Sequence, residues 1–289
     1  MNNKEDSRAT ITELMARNAE TESNNPVYFN KKPGVIDNQA TVNTSRNEIV
    51  EIKSRLRKLN MLVSGSRLGP EYSDEYRRIK RPLLSNAFGK TSQLVDKGNL
   101  ILVTSTLPGE GKTHTAINLA LSIAHERDHT VLLVDCDVAR HGASRAMGVS
   151  DKPGLVDVLE SDSFTVGDAI LRTDMPELCI ISAGKQHEYV TELLASQRMQ
   201  EVVAEIGSRY DDRVIIFDAP PLLPTPQTQV LTGLVGQVVF VIEAGKTPQS
   251  QVEEALKMIP PDQATGLVMN KSEGMSSRSS YYYGYASAE

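Results

Sequence analysis

The chain has 289 residues, with 31 Lys and Arg against 37 Asp and Glu, for a formal charge of −6. Apolar residues make up 39% and charged residues 24%, the proportions of an ordinary globular protein, and the length admits one large α/β domain or two small ones. No apolar stretch approaches the roughly 20 residues of a spanning helix, and the mild acidity gives no reason to expect nucleic-acid binding.

The start, Met1-Asn2-Asn3-Lys4-Glu5-Asp6, is too polar for a signal peptide, so a cytoplasmic protein is expected. Residues 1–44 are rich in Asn, Ser, Thr and charge with few apolar anchors, and read as a disordered or loosely held arm. Residues 1–70 carry 11 basic and 8 acidic residues, so the charge there is +3 and the remainder of the chain is −9. Ile49, Ile52, Leu56 and Leu59 recur at helical spacing, and Tyr76, Ile79 and Leu83 form the stripe of a second helix starting near Ser73. Pro82 is expected to kink or break that helix.

From Leu100 the pattern changes to short apolar, β-branched runs separated by helical stretches. Strands are expected at 101–104, 131–134, 178–181, 214–217, 238–242 and 266–269, and helices at 112–127, about 189–207 and about 249–259. Continuous apolar strands alternating with helices imply an α/β fold, a mostly parallel sheet covered by helices on both faces, with ligands at the carboxyl ends of the strands. Cys136 and Cys179 sit in apolar runs and are expected to be buried thiols, not a disulfide or a zinc site. The segment from Ser272 onward is Ser- and Gly-rich and holds Tyr281, Tyr282, Tyr283 and Tyr285, four of the nine tyrosines.

The chemistry concentrates at three strand ends. After the first strand, Ser105-Thr106-Leu107-Pro108-Gly109-Glu110-Gly111-Lys112-Thr113 runs straight into a helix, the setting of a Walker A phosphate loop, with Thr106 where that motif usually has its first Gly. The glycines let backbone N–H groups turn toward phosphate, the helix N-terminus adds partial positive charge, Lys112 reaches the β/γ-phosphates and Thr113 offers a hydroxyl to Mg²⁺. The next strand ends in Asp135-Cys136-Asp137, whose carboxylates, two residues apart, are expected to point the same way. One suits a magnesium role and the other a base role. Val214-Ile215-Ile216-Phe217-Asp218 has the Walker B pattern, with Asp218 as a metal ligand. Together these make a P-loop NTPase site for Mg²⁺ with ATP or GTP.

These motifs resemble the bacterial tyrosine autokinases (BY-kinases) of polysaccharide export systems: the Walker A loop at 107–113, the A′ motif Asp135-Cys136-Asp137, and the Walker B segment Asp218-Ala219-Pro220-Pro221. Pro153–Leu159 and Glu192–Ser196 are similar to further family segments. Glu243-Ala244-Gly245-Lys246-Thr247 and the Asn270-Lys271-Ser272 turn resemble the exosortase-associated branch. Cell-division and plasmid-partition ATPases share the fold but carry a lysine where this chain has Leu107. The resemblance covers roughly residues 70–289.

It implies ATP-to-tyrosine phosphoryl transfer with Mg²⁺ and autophosphorylation of Tyr281, Tyr282, Tyr283 and Tyr285. The implied nucleotide site is Pro108, Gly109, Glu110, Gly111, Lys112, Thr113 and His114, with Asn270 at the adenine edge. Thr113, Asp137 and Asp218 are implied as metal ligands, and Lys112 and Asp135 as catalytic, Asp135 accepting the tyrosine proton. Glu75, Arg78 and Arg81 match an E-x-x-R-x-x-R helix implied to join copies of the chain into a ring. A membrane-embedded polysaccharide chain-length determinant protein is the implied activator, holding the kinase at the inner membrane. The expected organisation is therefore an arm (1–44), a kinase domain (45–271) and a tyrosine tail (272–289). The alternative is an ATPase switch that cycles its oligomeric state without phosphorylating protein.

Overall fold

A computed structural model describes residues 48–63 and 66–272. The arm (1–44) and the tyrosines of the tail lie outside these. Eight strands form one sheet in the order β1-β4-β5-β3-β6-β2-β7-β8, where β1 is Ile49–Val50, β2 Leu100–Ser105, β3 Thr130–Asp135, β4 Ile170–Thr173, β5 Leu178–Ile181, β6 Arg213–Asp218, β7 Gln237–Glu243 and β8 Ala264–Asn270. Every pairing is parallel except β4 with β5.

The strands read as unbroken apolar runs because both faces are covered. Side chains alternate across a strand, so Ile101, Val103, Val131, Leu133, Ile216 and Val239 enter one core while Leu100, Leu102, Leu132, Val134, Phe217 and Phe240 enter the other. Helices α1 (Lys53–Lys58), α2 (Pro70–Phe88) and α3 (Lys112–Ala124) contribute to the first core. The second takes α5 (Leu155–Glu160), α8 (Gln197–Ser208) and α10 (Gln249–Leu256). The remaining α-helices among the described residues are α4 (Gly142–Met147), α6 (Val166–Ala169), α7 (Val190–Leu194) and α9 (Pro226–Thr232).

Several local expectations change. The stripe from Ile49 to Leu59 is not one helix: Ile49–Val50 is a strand, and only Ile52 and Leu56 are buried while Ile49 and Leu59 are exposed. Asp174 accepts the backbone N–H of both Ile52 and Lys53 through Oδ1, at 3.0 and 3.3 Å, which caps α1 where it begins. The second helix starts at Pro70, not near Ser73, and runs through Pro82. Pro82 lies on its exposed side, where water can meet the carbonyl it leaves unpaired. The helix expected over 189–207 is two, because Ser196 accepts the N–H of Met199 and donates to Leu193 O, capping α8. Cys136 is buried, and Cys179 is half-buried against the second core; both are free thiols.

From β2 the chain moves to β3 and on toward β1, then returns through β6 to reach β7 and β8. This reversal brings the ends of β2, β6 and β3 side by side, with Asp218 registered against both Val103 and Asp135. Ligand crevices form at such switch points.

Candidate active site

The phosphate loop lies between β2 and α3. Gly109 and Gly111 have φ of +93° and +98°, a region that L side chains rarely adopt, and a Cβ on Gly111 would lie 2.0 Å from Asn270 Nδ2. The loop is braced from within and from the far side of the chain. Glu110 is buried; its Oε2 accepts the N–H of Leu107 at 2.7 Å, and its Oε1 accepts the Thr247 hydroxyl in a short contact. Asn270 Nδ2 donates to Glu110 O at 2.8 Å, and Lys271 Nζ donates to Gly109 O at 2.7 Å. The side chain of Glu110 thus holds the loop, and Asn270 touches the loop itself.

Lys112 reaches across to the acids. Its Nζ pairs with Asp137 Oδ2 at 2.6 Å and lies 3.9 Å from Asp218 Oδ1 and 3.4 Å from Thr113 Oγ1. The two A′ carboxylates do not serve one point. Asp137 meets Lys112, whereas Asp135 Oδ2 accepts the N–H and the hydroxyl of Ser144 at 2.8 and 2.7 Å, and its Oδ1 accepts the N–H of Asp137. The expected common direction fails because Asp137 lies beyond the end of β3, where strand alternation no longer applies.

Asp218 is fully buried and neither carboxylate oxygen has a hydrogen-bond partner among the described residues; the same is true of Thr106 Oγ1 in the loop. Burial pushes the Asp218 pKa up to about 7 against the opposing pull of Lys112 and of the Thr113 hydroxyl, which is close enough to favour the carboxylate though not in hydrogen-bond geometry, with Asp135 and Asp137 adding to the rise. Burial also raises Asp135, with the Ser144 hydrogen bonds opposing it. A buried, unpartnered carboxylate beside a glycine cradle and a hydroxyl is a donor set that fits a hard divalent cation and phosphate. Asp137 and Pro108 also border a cavity of about 180 Å³ shared with Arg140, Leu194 and Pro221.

The family described as AAA domain matches residues 98–260, more than half the chain. Tyrosine-protein kinase YwqD of Bacillus subtilis (strain 168) is 33% identical over 187 residues, covering 64% of this chain and 77% of that one. The chain belongs to the bacterial tyrosine-protein kinase family. The putative tyrosine-protein kinase EpsB of Ralstonia nicotianae is 31% identical over 66% of this chain, which spans only 25% of that longer relative. Among solved structures, the VpsO kinase domain superposes with a TM-score of 0.55 at 28% identity, covering 70% of this chain and 99% of that one.

The kinase fold brings Lys112, Thr113, Asp137 and Asp218 together behind the loop, with Asp135 in register beside Asp218, but it turns the side chain of His114 away. That ring faces α2, with Nδ1 3.3 Å from the Tyr72 hydroxyl and in contact with Asn118, and burial lowers its pKa. Glu75, Arg78 and Arg81 lie exposed on α2, whose inner side buries Tyr76, Lys80 and Leu83. Tyr281, Tyr282, Tyr283 and Tyr285 lie outside the described residues. Four residues were missed as site residues: Lys271, Glu243, Thr247 and Ser144. The first three fall in segments whose family likeness is visible, but no local pattern points them at a loop some 130 to 160 positions earlier. Ser144 carries no sequence signal.

Proposed function

We propose that this kinase transfers the γ-phosphoryl group of ATP to the tyrosine cluster Tyr281, Tyr282, Tyr283 and Tyr285 of a neighbouring copy of itself, within exopolysaccharide synthesis and export. The observation that carries the reading is the Lys112–Asp137–Asp218 arrangement at the phosphate loop, with Asp218 without a hydrogen-bond partner among the described residues. The bond from the γ-phosphorus to the ADP oxygen breaks and one to the phenolic oxygen forms. Pro108 through Thr113 bind the nucleotide with backbone N–H groups, and Lys112 offsets charge on the transferring group. His114 contributes only through its backbone.

Thr113, Asp137 and Asp218 would hold magnesium, which when bound neutralises charge on phosphoryl oxygens. Asp135 is assigned to accept the phenolic proton, for which it must give up a hydrogen bond to Ser144 when substrate binds. Asn270, which donates to Glu110 O, is assigned to the adenine edge. Glu75, Arg78 and Arg81 join copies into a ring, their spacing presenting them along one exposed helix side. A membrane-embedded chain-length determinant protein is the proposed activator, which would place the kinase peripherally at the inner membrane. Among the described residues no helix is long and apolar enough to cross a membrane. Residues 1–44 serve as an arm, 45–271 as the kinase domain and 272–289 as the substrate tail.

Phosphosite mass spectrometry after incubation with Mg-ATP tests the reading, with Lys112→Met as control. Phosphate on the four tyrosines in the parent alone supports it. Unmodified tyrosines in the presence of the activator's cytoplasmic segment, together with measurable ATP hydrolysis, would favour the ATPase switch.

A further inference from the structure

Two residues at the end of β8 behave in a way that an extended strand does not allow. Successive side chains of a strand point to opposite sides, yet Asn270, at the end of β8, and Lys271, directly after it, bond to consecutive carbonyls of the same loop. Asn270 Nδ2 takes Glu110 O at 2.8 Å and Lys271 Nζ takes Gly109 O at 2.7 Å. The backbone at Lys271 makes this possible: its φ is +56°, a left-handed conformation that is unfavourable for a residue with a Cβ. Strain of that kind persists where surrounding contacts fix it, and it clusters at functional sites.

Lys271 is also held from the other side. Its Nζ lies 3.0 Å from Glu243 Oε2, at the end of β7, while Ala244 N–H donates to Asn270 O at 2.9 Å. The ammonium therefore bridges the end of β7 to the phosphate loop. At Gly109 the loop needs such help. Its φ is +93°, and among the described residues nothing lies within 4 Å of where its Cβ would be.

We infer that Lys271 is a positioning residue of the kinase reaction: by fixing the Gly109 carbonyl it keeps the N–H groups of Gly109–Gly111 turned toward the phosphates before nucleotide arrives. This rests on the nucleotide reading of the loop, not on which tyrosines accept phosphate. Nucleotide that meets a loose loop must order it on binding, so affinity carries the loss. Lys271 is 47% exposed, and removing its charge opens no cavity.

The test compares Lys271→Met with Lys271→Arg and with Lys246→Met; the last removes another exposed partner of Glu243, 2.5 Å from its Oε1. In the full-length protein without nucleotide, hydrogen exchange of the amides over 107–111 should quicken several-fold in Lys271→Met only. By calorimetry that variant should bind Mg-ADP about tenfold more weakly, and the KM for ATP should rise similarly with kcat within twofold. Lys271→Arg should recover most of the loss, and Lys246→Met should match the parent. Unchanged loop exchange and Mg-ADP affinity within twofold in Lys271→Met would overturn the inference, as would equal losses in Lys246→Met. A parent that binds no Mg-ADP would overturn the nucleotide reading and the inference together.

Discussion

Replacing Asp218 by Asn should stabilise the nucleotide-free kinase while removing its response to Mg-nucleotide. Asp218 is fully buried without a hydrogen-bond partner among the described residues, and its nearest cationic atom, Lys112 Nζ, is 3.9 Å away. Burial raises its pKa from 3.8 to about 7. At about 1.4 kcal/mol per unit, that difference caps the ionisation penalty near 4 kcal/mol above pH 7. Asn introduces an unpaired buried amide of its own, so about half, roughly 2 kcal/mol, should be recovered. For a body of this size that is about 4–8 °C in Tm.

The sign follows from proton binding. The folded pKa lies above the unfolded one, so between pH 4 and 7 the native state holds a proton that the unfolded chain has lost, and the parent's stability falls as pH rises through that window. The variant has no such slope from this position. At pH 5 the penalty is smaller by about 2.6 kcal/mol, so the gain seen at pH 8 should be gone there. Thermal unfolding followed by circular dichroism, with chelator, at pH 5, 6, 7 and 8 measures it. Adding Mg-ADP should then raise the parent's Tm and leave the variant's nearly unmoved. A variant no more stable than the parent at pH 8, or a gain that does not grow with pH, would refute the reasoning.

Gly111→Ala should reduce Mg-ADP affinity by at least tenfold in calorimetry, since φ is +98° there and the new Cβ would lie 2.0 Å from Asn270 Nδ2. Phe217→Ala, in the core beneath the catalytic strand end and 1% exposed, should lower stability by about 3–5 kcal/mol in urea unfolding with the slope unchanged. Gly154→Ala should destabilise by more than about 1 kcal/mol, because its Cβ would meet the backbone oxygen of Ser182 at 2.0 Å; a neutral result in thermal melts would contradict that packing. Joint replacement of Glu75, Arg78 and Arg81 by Ala should shift sedimentation toward single copies while changing Tm by less than about 2 °C, since all three are exposed.

The sequence by itself determined what local chemistry can encode. Unbroken apolar runs between helices gave six strands of the eight, because a strand covered on both faces needs apolar residues at every position. The phosphate loop was legible because a cradle of inward N–H groups needs glycine at the left-handed positions, here Gly109 and Gly111, followed by a helix. Asp135 and Asp218 were legible as acids that end apolar strands. Only the tertiary structure decided how these pieces face one another. The register of β6 between β2 and β3 buries Asp218 with no hydrogen-bond partner among the described residues, and the turn after β3 sends Asp137 to Lys112 while Asp135 goes to Ser144. The two-residue β1 and the antiparallel β4 form because neighbouring backbone is available at the sheet's end, not because Ile49–Val50 or Ile170–Thr173 carries a distinctive pattern. Lys271 and Asn270 reach the loop because β8 lies two strands from β2, with both strands ending at the same edge of the sheet. Spacing along the chain encodes contacts within a turn or a helix; contacts across 160 residues depend on strand order, which no short segment carries.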